Sequence, residues 1–184
     1  MAKFYPALTE SLIAFIQQQH IFFTATAPLS GRINLSPKGM DSLRVLNDKQ
    51  VAYLDLTGSG NETAAHLKEN GRMTLMLCSF EENPLILRLY GHGRTIRPRD
   101  AEWQYVHPHF EALPGERQLI LLDIDSLQTS CGWAVSLYDY QGERDMMTRW
   151  VEKKGEQGIM EYWNTKNRVS IDGLPTGLLA DNPT

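Results

Sequence analysis

The sequence predicts a mainly β fold, an antiparallel barrel of six strands with peripheral helices, and three observations carry that reading. Six short segments are rich in β-forming residues or alternate apolar and polar side chains with the two-residue period of a strand. Most of the links between them are of hairpin length, and the regular strand–helix–strand alternation of a doubly wound sheet is absent.

The elements follow in order. Leu8, Leu12, Phe15 and Ile16 have helical spacing and Thr9 suits an N-cap, so residues 8–19 form an amphipathic opening helix. Ile21 to Ala27 is the first strand; Pro28 to Gly31 is a turn, and Arg32 to Ser36 is a second strand with Ile33 and Leu35 on one face. Val51 to Leu56 is the third strand. It runs through Thr57-Gly58-Ser59-Gly60 into a short helix, Asn61 to Glu69, closed by Asn70-Gly71. Arg72 to Phe80 and Leu85 to Ile96 are strands four and five, the latter interrupted by Gly91 and Gly93, which mark a bulge or bend. Asp100 to Val106 is helical, and Gln118 to Asp125 is the sixth strand. A loop over 126–141, two helical stretches (Glu143 to Lys154, Glu156 to Asn167) and a tail rich in Gly, Pro and Asp complete the chain.

With 184 residues the chain is long enough for one domain with its own core; we read it as a single unit over 1–184, the barrel over about 20–125 and a helical extension over about 142–184. Hydrophobic residues are 42% and charged residues 22%, which disfavours disordered, fibrous and membrane classes. The 18 Lys plus Arg against 22 Asp plus Glu give a net charge of -4, the wrong sign for a duplex nucleic-acid partner. The short stripe Arg94, Arg97 and Arg99 is answered by Asp100 and Glu102 and reads as a solvated strand end. No apolar run approaches the ~20 residues of a membrane helix, so no membrane association is expected. Cys78 and Cys131 lack metal or redox spacing and the start lacks an export signal, so a reducing, cytoplasmic setting is expected.

Two segments have the chemistry of a binding site. In Arg32-Ile33-Asn34-Leu35-Ser36-Pro37-Lys38-Gly39, proline ends ladder pairing and glycine frees the backbone, which holds Lys38 on a stiff connection beside Asn34 and Ser36. The plain alternative is an edge strand blunted against aggregation by Pro and Lys. In Thr57-Gly58-Ser59-Gly60-Asn61-Glu62-Thr63, a glycine-rich link with hydroxyls opens a helix, where free N–H groups and the dipole favour an anion. It matches neither a dinucleotide fingerprint nor a Walker loop, and an ordinary capped loop uses the same residues. If the second and third strands are neighbours, Lys38 and the 57–63 loop converge on one phosphate.

The succession Phe22-Phe23-Thr24-Ala25-Thr26-Ala27, Asn34-Leu35-Ser36-Pro37-Lys38-Gly39, Val51 to Thr63, Leu87-Arg88-Leu89-Tyr90-Gly91 and Asp172-Gly173-Leu174-Pro175 resembles, in order and over most of the chain, the pyridoxamine 5'-phosphate oxidase-related, FMN-binding split-barrel family. It is similar to the less characterised branch. The resemblance implies a six-stranded antiparallel split β-barrel of Greek-key topology. It also implies a homodimer with one FMN at each end of the subunit interface, and an oxidoreductase that passes electrons between a donor such as NAD(P)H and a small substrate. It places Asn34, Leu35, Ser36, Lys38 and Thr57 at the flavin. Arg32 precedes Lys38 by six residues, where the true vitamin B6 oxidases space the corresponding pair by five. Their Ser-Arg-Lys phosphate signature falls on Asn61-Glu62-Thr63, which removes two charge-assisted contacts of about 1.5–3 kcal/mol each. Lys38, backbone amides and the hydroxyls of Ser59 and Thr63 are left to hold a phosphate, with Arg88 as the replacement cation and Glu62 directed elsewhere.

Ser130-Cys131-Gly132-Trp133 and Gly142-Glu143-Arg144-Asp145 resemble segments that close over the flavin, although Trp133 also suits core or dimer packing. Arg168 is followed by Val169 and Ser170 rather than by the Arg-x-His pair that grips pyridoxamine phosphate. The alternative class is a non-catalytic flavin- or haem-binding module, for which His92 is the axial-ligand candidate. His107-Pro108-His109 reads as a helix-ending turn rather than a metal pair, and the catalytic residues are not identified.

Overall fold

The computed structural model describes residues 2–179. Strands β1 (Lys3–Tyr5), β2 (Phe22–Thr26), β3 (Asn34–Lys38), β4 (Leu43–Asn47), β5 (Gln50–Leu56), β6 (Arg72–Cys78), β7 (Ile86–Ile96) and β8 (Glu116–Ser130) form one antiparallel sheet. Its path is β3-β2-β6-β7-β8-β5-β4, and β1 pairs with the far end of β8. Helices α1 (Glu10–Gln18), α2 (Glu62–Glu69), α3 (Trp103–Val106) and α4 (Met146–Lys166) lie around it.

Chain connectivity forces the sheet to curl. The two edge strands of the path, β3 and β4, are consecutive in sequence and joined by residues 39–42. Five Cα steps reach at most roughly 18 Å, whereas six strand spacings laid flat cover roughly 28 Å. The edges must therefore approach each other, and left-handed Met40 (φ 59°) and Asp41 (φ 48°) turn the link. Lys38 Nζ to Asp55 Oδ1 (3.1 Å) crosses the seam, and the Leu54 N–H to the Ser42 carbonyl (2.8 Å) extends the β4–β5 ladder up to it. The result is the split barrel that the sequence leads one to expect.

Leu12 and Ile16 of α1, with Leu8 before it, plug the barrel against Phe22, Tyr53, Leu75, Leu89 and Ile120. Each such side chain contributes about 1.5–3 kcal/mol on burial. Thr9 Oγ1 accepts from the Leu12 N–H and caps the helix. Central strands β5 and β8 are covered on both faces, because Ala52, Leu54, Leu119 and Leu121 pack with Ile96, Val106 and Phe110 in a second cluster. That two-sided burial explains the unbroken apolar runs Val51–Leu54 and Leu119–Leu122. At Gly91 the β7–β8 register shifts, and a Cβ there would lie 1.9 Å from the Asp123 carbonyl oxygen, so the predicted bulge requires glycine.

Eight strands replace the six expected. β1 is three residues long and exists by pairing with β8. β4 lacks a clean period because its pairing with β5 shifts between Val45 and Asn47. The region 126–130, expected as loop, continues β8: Ser126-Leu127-Gln128-Thr129-Ser130 has polar composition, yet it is sandwiched between β1 and β7. The two expected C-terminal helices are the halves of α4, which breaks at Gly155 (φ 66°, ψ 171°) and starts at Met146 rather than Glu143. Among the described residues no helix is long and apolar enough to cross a membrane.

Candidate functional site

Strand β3 presents its polar row inward and its apolar row to solvent. Asn34, Ser36 and Lys38 are half-buried, whereas Ile33 before the strand and Leu35 on it are 77% and 66% exposed. Asn34 Nδ2 donates to Thr63 Oγ1 at 3.1 Å, and Ser36 Oγ donates to Asn34 Oδ1 at 3.1 Å. The row thus reaches the first turn of α2. Strands β3 and β5 are not paired; β4 and the seam lie between them, and curling brings Lys38 to the end of β5.

Beneath Lys38 lies a buried ion cluster. Asp55, fully enclosed, accepts from Lys38 Nζ (3.1 Å), Arg117 Nε (2.8 Å) and Gln118 Nε2 (2.8 Å). Burial alone would raise its pKa, but the Arg117 and Lys38 charges and the hydrogen bonds outweigh that, so its carboxyl sits well below the usual carboxylate range. Burial, with the Asp55 charge adding, pushes the neighbouring Tyr53 hydroxyl up. Arg117 also donates to the Gly60 carbonyl and to Asn167 Oδ1, while Asn167 Nδ2 donates to the Gly58 carbonyl and Gln118 to Asn61 Oδ1. The glycine-rich loop is therefore fastened from below through its carbonyls. No described residue accepts from the Gly58 or Ser59 N–H.

The start of α2 faces protein. Asn61 and Thr63 are buried, and the Glu62 carboxylate accepts the Ile171 N–H at 3.1 Å. The segment after α4 straps across this end: Arg97 and Arg99 donate to the carbonyls of Thr176, Gly177 and Leu178, and Asp172 pairs with Arg32.

Beside the loop opens a cleft of about 1260 Å³. Lys38, Thr57, Gly58 and Ser59 line one side; His20, Tyr138 and Tyr140 another; Trp150 and Tyr162 of α4 a third. His20 and Tyr140 stack at 3.6 Å with rings 4° apart, and Trp163 Nε1 donates to Thr57 Oγ1 at 2.9 Å, tying α4 to the end of β5. A cation, the Ser59 hydroxyl and two free amides can hold an anion, whereas the Thr57 hydroxyl donates to the Gly115 carbonyl at 2.7 Å; the flat aromatic walls can hold a planar ring.

The structure thus brings Lys38, Thr57 and Ser59 into one cleft and places Asn34, Ser36, Asn61 and Thr63 in the hydrogen-bonded layer around its base. Three other sequence candidates lie apart. Leu35 points outward, Arg88 on β7 donates to Ser130 Oγ (3.2 Å), and Trp133 is 84% exposed; none lines the cleft. His92 is exposed and paired with Asp125, and His107 bonds Glu116 beneath a stacked Trp103. Asp55, Arg117, Gln118 and Asn167 were not legible as site residues, apart from one available signal: an acid within the apolar run of β5. His20, Tyr140 and Tyr162 gave none, because their place depends on how the loop after β8 and the broken α4 fold back.

The family model described as "Pyridoxamine 5'-phosphate oxidase" matches residues 8–131. The curated "Pyridoxamine 5'-phosphate oxidase family protein ustO" of Aspergillus flavus is 39% identical over 193 residues, covering 95% of this chain and 78% of its own length. Among solved structures, a Lactobacillus delbrueckii protein is similar at TM-score 0.54 and 18% identity, over 67% of this chain and 94% of its own. An FAD binding protein from Mycobacterium smegmatis is similar at TM-score 0.50 and 13% identity, over 68% and 97%. At these identities the structural likeness is one of fold.

Proposed function

The chain belongs to the pyridoxamine 5'-phosphate oxidase family, and from that premise we propose that it is a flavoprotein oxidoreductase that holds FMN and works as a homodimer. The observation that carries this reading is the convergence of Lys38, Ser59 and two free amides at one end of an aromatic-walled cleft. That donor set fits a phosphate joined to a planar ring. Lys38 and Arg117 against Asp55 leave one positive charge at the base of the cleft; on its walls Arg144 and Lys154 stand with Glu81, Asp139 and Glu143, so the attraction for an anion is confined to that base. The phosphate contacts are Lys38, Ser59 and the 58–59 amides. They are not the first turn of α2, which Glu62 and Ile171 close. A bound flavin supplies hydride and electron transfer. The protein's part is to seat the ring against Tyr138 and Tyr140, while Thr57 fixes the α4 wall through Trp163.

The dimer is supported by apolar surface left uncovered in one chain: Ile33, Leu35, Val169 and Ile171 are 54–77% exposed along the β3 edge and the strap. Arg88 and Trp133, outside the cleft of their own chain, are the residues available to a second copy. Two free cysteines, Cys78 and Cys131, suit the cytoplasm. The substrate is a small planar molecule rather than pyridoxamine phosphate.

A second reading, a flavin- or haem-binding module without turnover, is favoured by the closed start of α2. His92 lies outside the cleft and only His20 of the histidines lines it, which weakens the haem form. A reductase assay with NADH or NADPH and an artificial acceptor separates the two. Turnover supports the oxidoreductase, and a bound flavin inert to both reductants supports the module.

A further inference from the structure

The α4 wall of the cleft contains an unpaired cation set on two aromatic rings. Trp150 and Tyr162 meet edge to face with centroids 5.1 Å apart at 81°. Lys154 Nζ sits 5.3 Å from the first centroid and 5.6 Å from the second. In an unbroken helix residues 150 and 162 would be separated by roughly 18 Å along the axis. They touch because the chain breaks at Gly155, whose φ of 66° folds the second half of α4 back on the first. Among the described residues no carboxylate pairs with Lys154.

All three side chains line the same cleft as Lys38 and Ser59. At about 1260 Å³ that cleft is larger than the roughly 300–1,000 Å³ that one drug-sized ligand takes. Room is left for a second molecule. An ammonium resting on half-buried rings is held weakly by comparison with a charge-assisted hydrogen bond, so an arriving anion draws it off the rings and exposes their faces to a flat partner.

With a flavin at the Lys38 end, as proposed above, we propose that Trp150, Lys154 and Tyr162 form the substrate subsite, and that it takes a planar aromatic molecule carrying one anionic group. Lys154 pairs with the anion and the two rings hold the plane. The subsite sets the class of substrate without touching the phosphate contacts of the cofactor.

Calorimetric titration of the purified protein with benzoate and with its neutral isostere benzamide tests this. Benzoate should bind at least tenfold more tightly than benzamide. Lys154→Met should erase that difference and leave benzamide binding unchanged, and Trp150→Ala should weaken both; Lys154→Gln replaces the Met variant if thermal melting shows the latter misfolded. Equal binding of the two probes, or a benzoate preference that survives loss of Lys154, would overturn the assignment. In flavin-free protein the Lys38 end offers benzoate a second anion site, so only a charge preference that Lys154→Met removes, in a protein that takes up no flavin, sinks the cofactor reading alone. Benzoate that leaves the spectrum of a bound flavin unshifted separates the subsite from the flavin and also overturns the assignment.

Discussion

Asp55→Asn keeps the size of the side chain and removes the one charge that Lys38 and Arg117 share. Lys38, 24% exposed, can turn to water; Arg117, 4% exposed, cannot, and is left as a buried cation facing an amide. Removing one partner of such a pair costs about 3–5 kcal/mol. With a urea slope of about 2 kcal/mol per M, the unfolding midpoint should fall by about 1.5–2.5 M. The thermal midpoint should fall by roughly 6–20 °C for a chain of this length. The effect also depends on pH, and its sign is fixed. The folded carboxyl is depressed below its unfolded value of about 3.9, so its stabilisation is complete above that value and is lost progressively as pH falls below it towards the lower folded value. The variant has no such group, so its deficit should be full at pH 7 and shrink progressively below about pH 4. Urea melts of both proteins at equal concentration, at pH 7 and in steps towards pH 3, measure this. A deficit that stays constant over that range, or a midpoint at pH 7 that moves by less than about 0.3 M, would refute the claim that the Asp55 cluster holds the base of the cleft.

Other expectations follow from the same geometry. Lys38→Ala leaves Asp55 with Arg117 and Gln118, so the protein should stay folded while flavin affinity drops roughly 10- to 150-fold, the worth of one charge-assisted contact; fluorescence of flavin released on ultrafiltration reads it, and undiminished retention would move the phosphate elsewhere. Gly91→Ala drives a methyl into the Asp123 carbonyl and should cost about 1–3 kcal/mol or more, so an unchanged melting temperature would contradict the bulge. The double change Ile33→Asp, Leu35→Asp alters two exposed side chains and should yield folded monomers by sedimentation; a persisting dimer would place the interface on another face. Trp163→Phe removes the hydrogen bond to Thr57 and should loosen α4, raising hydrogen exchange over residues 156–166 without lowering exchange protection in β5.

Local pattern sufficed for much of the fold. The apolar spacing of Leu12 and Ile16, the Thr9 cap, the Asn70-Gly71 stop and the Gly91 bulge are decided by residues close together in sequence, and each is found as expected, although the helix runs over Glu10–Gln18 rather than 8–19 and leaves Leu8 ahead of its cap. β1 and the end of β8 were hidden because a three-residue strand and a polar one exist only through their partners. The site divides the same way. Lys38 and the 57–59 loop declare themselves through Pro37, Gly39 and the glycines, whereas their meeting depends on closure of a seam between strands that never pair. Trp150 and Tyr162 are twelve residues apart and meet only because the break at Gly155 turns one half of α4 towards the other.

The most direct test of a flavin site at Lys38 is the visible absorption spectrum of the purified protein, with mass identification of the ligand released on denaturation. A flavin doublet with released FMN near one per chain is the expected result. A Soret band, or no chromophore and no uptake when the protein is incubated with FMN, would contradict it.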